Sequence, residues 1–541
     1  MKKVMNKKGT IGILQITRFG DLIQTLTACK ELKEQYPEYE LLLICRESFG
    51  KPLEFILNKT FDKIIYLNLK EIIETPKSIQ PGIKNISNFI ENINNENLDI
   101  LINLSWSLSS QYIATMIKAK NYMGLKVDRC LRPQTKDSWS TLVFSSVMRG
   151  LLNPFNIIDI YKGILGVKRE LHAEVVQSPD LSETLIFHPF ASQEEKTWSI
   201  DKWVEIIYQL LKKNPSLIIH IVGSKKDHHH CESFIKSKLL IPYQERIKMD
   251  IGTRSIENIY ELALKSRLFV GSDSMVGQLC AFAGLQTLTL SKGSVRPHET
   301  TPYGSKNYNI MLKDQKRDLP YNLVIASIQQ LIEERAISYN NLKKVVPIKS
   351  LRLTNIYESY FSREGFLSLK ELQGNEDLHS SFRIVYKILW AYYINNIEIN
   401  CTPPKLTKKN INQLKNYLPA FEQLFELIDF GKKYSLYIYN ELEKDSPEMN
   451  ILKEYSEKLT EIDHLQIYLR NNFPLLGPIV DFFTVKKANL SGSHIEEIAG
   501  QSVLIYEDYS NLISALYELV INIIKVNDDD FKKQISREVN E

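Results

Sequence analysis

Three short stretches put chemically capable side chains where a strand pattern gives way to a helix pattern. The first is ITRFGDLIQ, residues 16–24, in which Asp21 follows Arg18 and Gly20. A carboxylate in that position can take a proton from a hydroxyl nucleophile. It can equally well cap the helix that follows. The two roles pull apart: a helix N-terminus favours the anion and lowers its pKa, which weakens a base unless burial acts against it. Gly20 suits a tight turn at the end of a strand. The second stretch is LFVGSDSMVGQLCAFAG, residues 268–284. Gly271, Ser272, Asp273 and Ser274 offer backbone N–H groups and hydroxyls at a helix start, a natural seat for phosphate, although a plain capped helix looks the same. The third is FHPFASQEEKTWSIDKW, residues 187–203, whose polar loop carries Ser192 and Lys196. Lys196 has the charge to neutralise a diphosphate, while a loop lysine of no function is simply solvated. Two other stretches carry less. DHHHCE, residues 227–232, is not expected to bind metal, because successive helical side chains point about 100° apart and cannot converge on one ion. Ser255 in GTRSIENIYELA, residues 252–263, reads as a helix cap.

The elements that must position these groups alternate. IGILQIT (11–17), ELLLICRE (40–47), KIIYLNL (63–69), DILINLS (99–105), TLIFHPF (184–190), LIIHIVGS (217–224), LFVGSD (268–273) and QTLTLSK (286–292) predict strands. Several are apolar on consecutive positions, as in parallel strands covered on both faces. Leu22, Leu26, Cys29 and Leu32 share one helical face between the first two. Such βα alternation predicts an α/β, doubly wound architecture. The stretch HAEVVQSPDLSET, near 172–184, divides it into two similar halves, giving domains over 1–170 and 171–340. The region 351–541 changes character. Phe421, Leu424, Phe425 and Ile428, and then Leu512, Ala515, Leu516, Leu519 and Ile523, keep helical spacing. It predicts a mostly α-helical extension without a catalytic motif, ending near the acidic NDDD at 527–530.

A chain of 541 residues exceeds one core and predicts two to four domains. Apolar content of 43% and charged content of 24% are those of an ordinary globular protein, and a net charge of +4 makes no case for a nucleic-acid partner. No apolar run reaches the roughly 18–20 residues of a spanning helix. The basic start MKKVMNKKGT is followed by Gln15, Arg18 and Asp21 instead of the apolar core of a secretion signal. Cys29, Cys45, Cys130, Cys231, Cys280 and Cys401 are scattered without a CxxC pair, which points to reduced thiols in a cytosol.

In order and spacing the stretches resemble glycosyltransferase family 9, the ADP-heptose:lipopolysaccharide heptosyltransferases. ITRFGDLIQTLTACKELKEQYP resembles that family's first strand–GD–helix. DILINLSWSLSSQYIATMIKAKNYMGLKVD (99–128) is similar to its acceptor-domain segment, with the family's glycine at Gly124. FHPFASQEEKTWSIDKW, FVGSDSMVGQLCAFAG and SVRPHETTPYG (294–304) resemble its later motifs, over about residues 11–335 in all. The resemblance implies a GT-B fold of two Rossmann-like domains, with the acceptor in the first and a nucleotide-sugar in the second. It implies an inverting, metal-independent transfer with no cofactor beyond the donor, ADP-heptose, and no Asp-x-Asp motif stands out in the α/β part. Asp21 would be the base, supported by a turn at Arg18 and Gly20. Ser192, Lys196, Asp227, Asp273, Ser274 and Gln278 would face the donor's nucleotide and phosphates. A lipopolysaccharide core or a protein would be the acceptor, in the cytoplasm or at the inner face of a membrane. Peripheral membrane contact and a homo-oligomer are compatible with it. The sequence departs from the family at Phe190 and Met275, where the family has Gly, and at Gln278, where it has His. Gln can donate a hydrogen bond to phosphate but carries no charge. Phe190 would bar close backbone approach, and His188 reads as a structural end-of-strand residue. These departures keep two alternatives open: a non-catalytic scaffold on a decayed GT-B fold, and a GT-B sugar-nucleotide epimerase.

Overall fold

The computed structural model describes residues 8–73, 80–128, 130–150, 152–168, 182–191, 193–314, 317–374, 378–399, 406–492 and 494–528. Ser192, Cys401 and the expected divide up to residue 181 lie outside the described residues. The chain forms two compact units: Met1–Leu125 with Phe155–Gly374, and Lys126–Pro154 with Asn375–Glu541.

The first unit holds two sheets. In one, β1 (Gly9–Gln15), β2 (Tyr39–Arg46), β3 (Lys63–Leu67), β4 (Leu98–Asn103) and β5 (Ala119–Val127) lie in the order β3-β2-β1-β4-β5, all parallel. Central β1 is apolar on consecutive positions because both its faces are covered: Ile13 and Leu14 are fully buried, with Ile13 opposite Leu43 and Ile102. A short β6 (Pro133–Thr135) falls in the other unit. The second sheet is built from β7 (Thr184–His188), β8 (Ile218–Gly223), β9 (Ile247–Ile251), β10 (Leu268–Ser272), β11 (Thr287–Ser291) and β12 (Tyr308–Leu312). Two further strands, β13 (Thr354–Phe361) and β14 (Leu367–Glu371), extend it antiparallel beyond β12. Its order, β14-β13-β12-β11-β10-β7-β8-β9, repeats in the parallel part the pattern of the first sheet. Numbered within each half, the first reads 3-2-1-4-5 and the second 3-2-1-4-5-6, the doubly wound arrangement whose strand order reverses beside strand 1. The eight strands expected from apolar runs are all present within a few residues of their expected bounds.

The region from 351 differs from its expected helical character at the start, since β13 and β14 precede any long helix. In both strands partly buried residues interrupt the buried ones, so a search for continuous apolar runs passes over them.

The second unit is helical, with long helices Leu378–Asn395, Leu418–Leu442, Met449–Asn472, Gly477–Ala488 and Ile495–Asn527. Leu418–Leu442 packs along Ile495–Asn527, and Phe421 and Phe425 set their rings on Tyr517 at 5.5 and 6.0 Å. Residues 126–154 are stitched into this bundle. Trp139 Nε1 donates to Asn395 Oδ1 at 3.1 Å, and Thr135 N donates to Asn489 Oδ1 at 3.0 Å. Arg149 and Arg470 both pair with the buried Asp481. Among the described residues no helix is long and apolar enough to cross a membrane.

Candidate functional site

In a doubly wound sheet, ligands bind outside the carboxyl ends of the strands where the strand order reverses. The reversal lies between β1 and β4 in the first sheet and between β7 and β10 in the second. Asp21 follows β1, Lys196 follows β7, and Asp273 and Ser274 follow β10. Three stretches picked from residue type alone therefore come to the two crevices that the topology creates.

The helix after β1 runs Phe19–Gln35, with Arg18 extended at its N-cap (φ −140°, ψ 166°) and lending no side-chain cap. The expected turn at Gly20 is corrected by this: Gly20 is already in the first helical turn and is absent from the glycines of positive φ. A Cβ at Gly20 would meet nothing within 4 Å, so its small size leaves open space beside Asp21 instead of permitting a strained turn. Asp21 sits in the first turn and reaches back to the Arg18 backbone N–H, so it does serve the helix start. Burial nevertheless dominates. The carboxyl keeps some accessible surface, but surrounding protein raises its pKa above the ordinary value. The Arg18 N–H and charge act the other way, as would a hydrogen bond donated by Thr17, and together they do not cancel it. At this carboxyl, burial therefore outweighs the helix start. Tyr161, fully buried in the helix Ile157–Ile164, also feels the Asp21 charge.

The second crevice gathers Lys196, Asp273 and Thr300. Asp273 is pushed up by burial against the Lys196 charge and a hydrogen bond to the Thr300 side chain. Ser274 caps the helix Met275–Phe282 by accepting from Gly277 N at 3.5 Å. Gln278 is largely buried, and its Nε2 donates to the Thr300 carbonyl at 2.7 Å. Its amide thus braces the Thr300 turn against the helix. Asp227 is committed locally: its Oδ2 accepts from Ser224 N at 2.8 Å and Ser224 Oγ at 2.6 Å, a capping box that starts the turn Lys225–His230. Its charge also reaches His188.

The Phe190 ring is buried. It stacks on His230 at 5.5 Å and 17°, over Gly223, where an added Cβ would lie 2.7 Å from the ring. One glycine lost at 190 is matched by another kept at 223. His188 donates or accepts through Nδ1 at the Val222 carbonyl, 3.1 Å away, and burial lowers its pKa to about 4, so the ring is neutral and structural. Among the described residues no three His, Cys, Asp or Glu side chains gather as a metal set.

The helices Phe19–Gln35 and Met275–Phe282 pack on one another. Their later turns, including Lys30, Glu31, Gln278 and Phe282, line a pocket of about 560 Å³ with Tyr303 and Arg335. The pocket lies towards the later turns of these helices and shares Gln278 with the second crevice. Thr17, Tyr161 and Thr300 were not singled out from the sequence. Tyr161 lies in an unremarkable apolar helix, and nothing in its spacing ties it to Asp21.

Residues 86–321 match the family model described as glycosyltransferase family 9 (heptosyltransferase). No curated protein matches the chain. Among solved structures, the chain is similar to E. coli heptosyltransferase WaaC with ADP, at 15% identity and TM-score 0.47, covering 60% of this chain and 100% of that one. E. coli ADP-heptose lps heptosyltransferase II gives 15% and 0.46 over 60% and 100%. A family 9 glycosyl transferase from Veillonella parvula gives 15% and 0.44 over 64% and 96%. The matched stretch, residues 86–321, contains Lys196 and Asp273 but not Asp21.

Proposed function

We propose that the chain transfers a sugar from a nucleotide-activated donor to a hydroxyl of an acceptor, with inversion and without a metal. ADP-heptose is the proposed donor, and a lipopolysaccharide core or a protein the proposed acceptor. The acceptor proton passes to Asp21, the acceptor oxygen bonds to the anomeric carbon, and the sugar–phosphate C–O bond breaks with its electron pair going to the diphosphate. Lys196 and the helix start at Ser274 offset the charge that develops there. Ser192 joins this donor side by family resemblance, and Asp227 and Gln278 support it by holding its loops. The observation that carries this reading is the raised pKa of Asp21 at the first crevice, which gives a carboxylate the proton affinity a base needs. Mass spectrometry of the co-purifying nucleotide, followed by turnover with ADP-heptose, tests it. Asp21→Asn should lose transfer by about 10²–10⁴-fold while an ADP thermal shift persists. Unchanged transfer in that variant would remove Asp21 as the base.

A further inference from the structure

The pocket of about 560 Å³ lies at the amino ends of strands in the second sheet: two of its wall residues, Gln286 and Asn307, stand directly before β11 and β12. Lys196, Asp273 and Ser274 instead follow the carboxyl ends of β7 and β10. Its wall is fixed from behind. Lys162 is fully buried, and its ammonium donates to the Glu31 carboxylate and to Tyr303 Oη, the latter at 2.9 Å. Tyr303 Oη donates in turn to Asp159 Oδ1 at 2.7 Å, and Asp159 Oδ2 accepts from Leu367 N at 2.9 Å. Buried ions of this kind are often no more stabilising than apolar groups of similar volume. What they supply here is a set position for Glu31 and Tyr303, both of which line the pocket. A second brace acts on Lys306 and Arg335, whose carbonyls accept from Gln286 Nε2 at 2.8 and 3.0 Å. Both residues are left-handed, with φ of 59° and 55°, a conformation that residues other than Gly adopt rarely and at a cost. Both also line the pocket.

The lining favours neither sign of charge. Glu31, Glu34, Glu334 and Glu358 are offset by Lys30, Lys306 and Arg335, with Lys162 behind Glu31. Such a wall exerts little net pull on a strongly charged ligand, yet sets many hydrogen-bond acceptors beside many donors. Tyr303 and Phe361 meet edge to face at 5.2 Å on the same wall, and Phe282 adds a third ring. Carboxylates that accept, cations that donate and ring faces for C–H groups match an uncharged, polyhydroxylated ring. We propose that this pocket is an accessory carbohydrate site that takes one or two rings of a neutral sugar. Its volume is within the roughly 300–1,000 Å³ of small-molecule sites. The sugar is bound there and no bond is made or broken. The helices Phe19–Gln35 and Met275–Phe282 carry Asp21 and the Ser274 cap at their starts and line the pocket further on, so an occupant bridges the elements that hold both candidate crevices.

Saturation-transfer difference NMR on the full chain tests this, with D-glucose, D-galactose, D-mannose, N-acetyl-D-glucosamine and lactose as probes. At least one should receive saturation, and excess ADP, spermidine or inorganic phosphate should not displace it. Ala336 is an exposed wall residue, so Ala336→Trp fills the pocket without disturbing a core. It should weaken the binding by about tenfold or more, while thermal unfolding stays cooperative. Phe361→Ala should weaken it too, by removing a ring face; if that variant does not fold, Ala336→Trp decides alone. Absence of saturation in every probe, or unchanged binding in Ala336→Trp, overturns the proposal. Displacement by ADP would put the sugar at the donor crevice, and displacement by spermidine or phosphate would make the pocket an ion site; either result also overturns it.

Discussion

Two carboxyls at the ends of β1 and β10, Asp21 and Asp273, are both held above their ordinary pKa by burial. Each is a group whose folded pKa exceeds its unfolded one, so its contribution favours the fold at low pH and is lost as pH rises through the folded pKa. At neutral pH both charges work against stability, which is a common mark of functional sites. Asp273→Asn should therefore raise the Tm at pH 7, with the gain vanishing as pH falls below the ordinary carboxylate range. A scan of Tm against pH for the two proteins checks this, and a loss of Tm at pH 7 would refute it. His188 has the opposite sign. Its pKa falls from 6.5 to about 4, so the stability it contributes is full above 6.5 and drains away on acidification towards 4. The whole effect is about 3 kcal/mol. His188→Asn should flatten the acid loss of stability between these limits, measured by denaturant unfolding at each pH.

Single elements were legible from local pattern to the degree that they were buried on both faces. β1, β2 and β10 carry runs of consecutive apolar residues because both their faces are covered. β13 and β14 did not, since polar and partly buried residues interrupt their buried positions. The Ser255 cap was equally plain: Ser255 accepts from Asn258 N at 3.1 Å, a purely local bond. The cap at Ser274 should be worth about 1 kcal/mol, so Ser274→Ala should lower stability by that amount and weaken ADP binding more than Ser255→Ala does. Calorimetry on both variants distinguishes the two effects. The turn after β8 depends instead on a partner from another loop. Gly223 has no room for a Cβ while Phe190 lies over it. Gly223→Ala should destabilise by about 1–3 kcal/mol, and Phe190→Leu should recover much of that loss in a double-mutant cycle. Additive losses would show that the two are not packed as described.

At the level of the entire chain, neither natural-looking truncation point separates cleanly. Ending the chain after residue 350 removes β13 and β14, unpairs the edge of β12, and takes away Leu367 N, which donates to the buried Asp159 at 2.9 Å. Ending it after Gly374 spares the sheet but deprives residues 126–154 of Asn395, Asp481 and Asn489. The 1–350 protein should therefore aggregate through the bared β12 edge. Size-exclusion chromatography would contradict this if it returned a monodisperse, cooperatively unfolding species. Arg470→Met should destabilise the helical unit, but by less than the roughly 3–5 kcal/mol of an unpaired buried charge, because Arg149 still pairs with Asp481; denaturant unfolding measures it.

The linear chain determined the βα alternation, the strands buried on both faces, the helical character of most of 351–541 and the three strand-to-helix stretches that carry Asp21, Lys196 and Asp273. All of these are written in periodicity or in neighbours a few residues apart. Only tertiary structure decided that burial outweighs the helix start at Asp21, that Phe190 fills the space Gly223 leaves, that Gln278 braces Thr300, and that residues 126–154 belong with helices far along the chain. Each of these depends on which distant side chains come to share a volume. Desolvation and close packing act through space, and sequence separation carries no record of them.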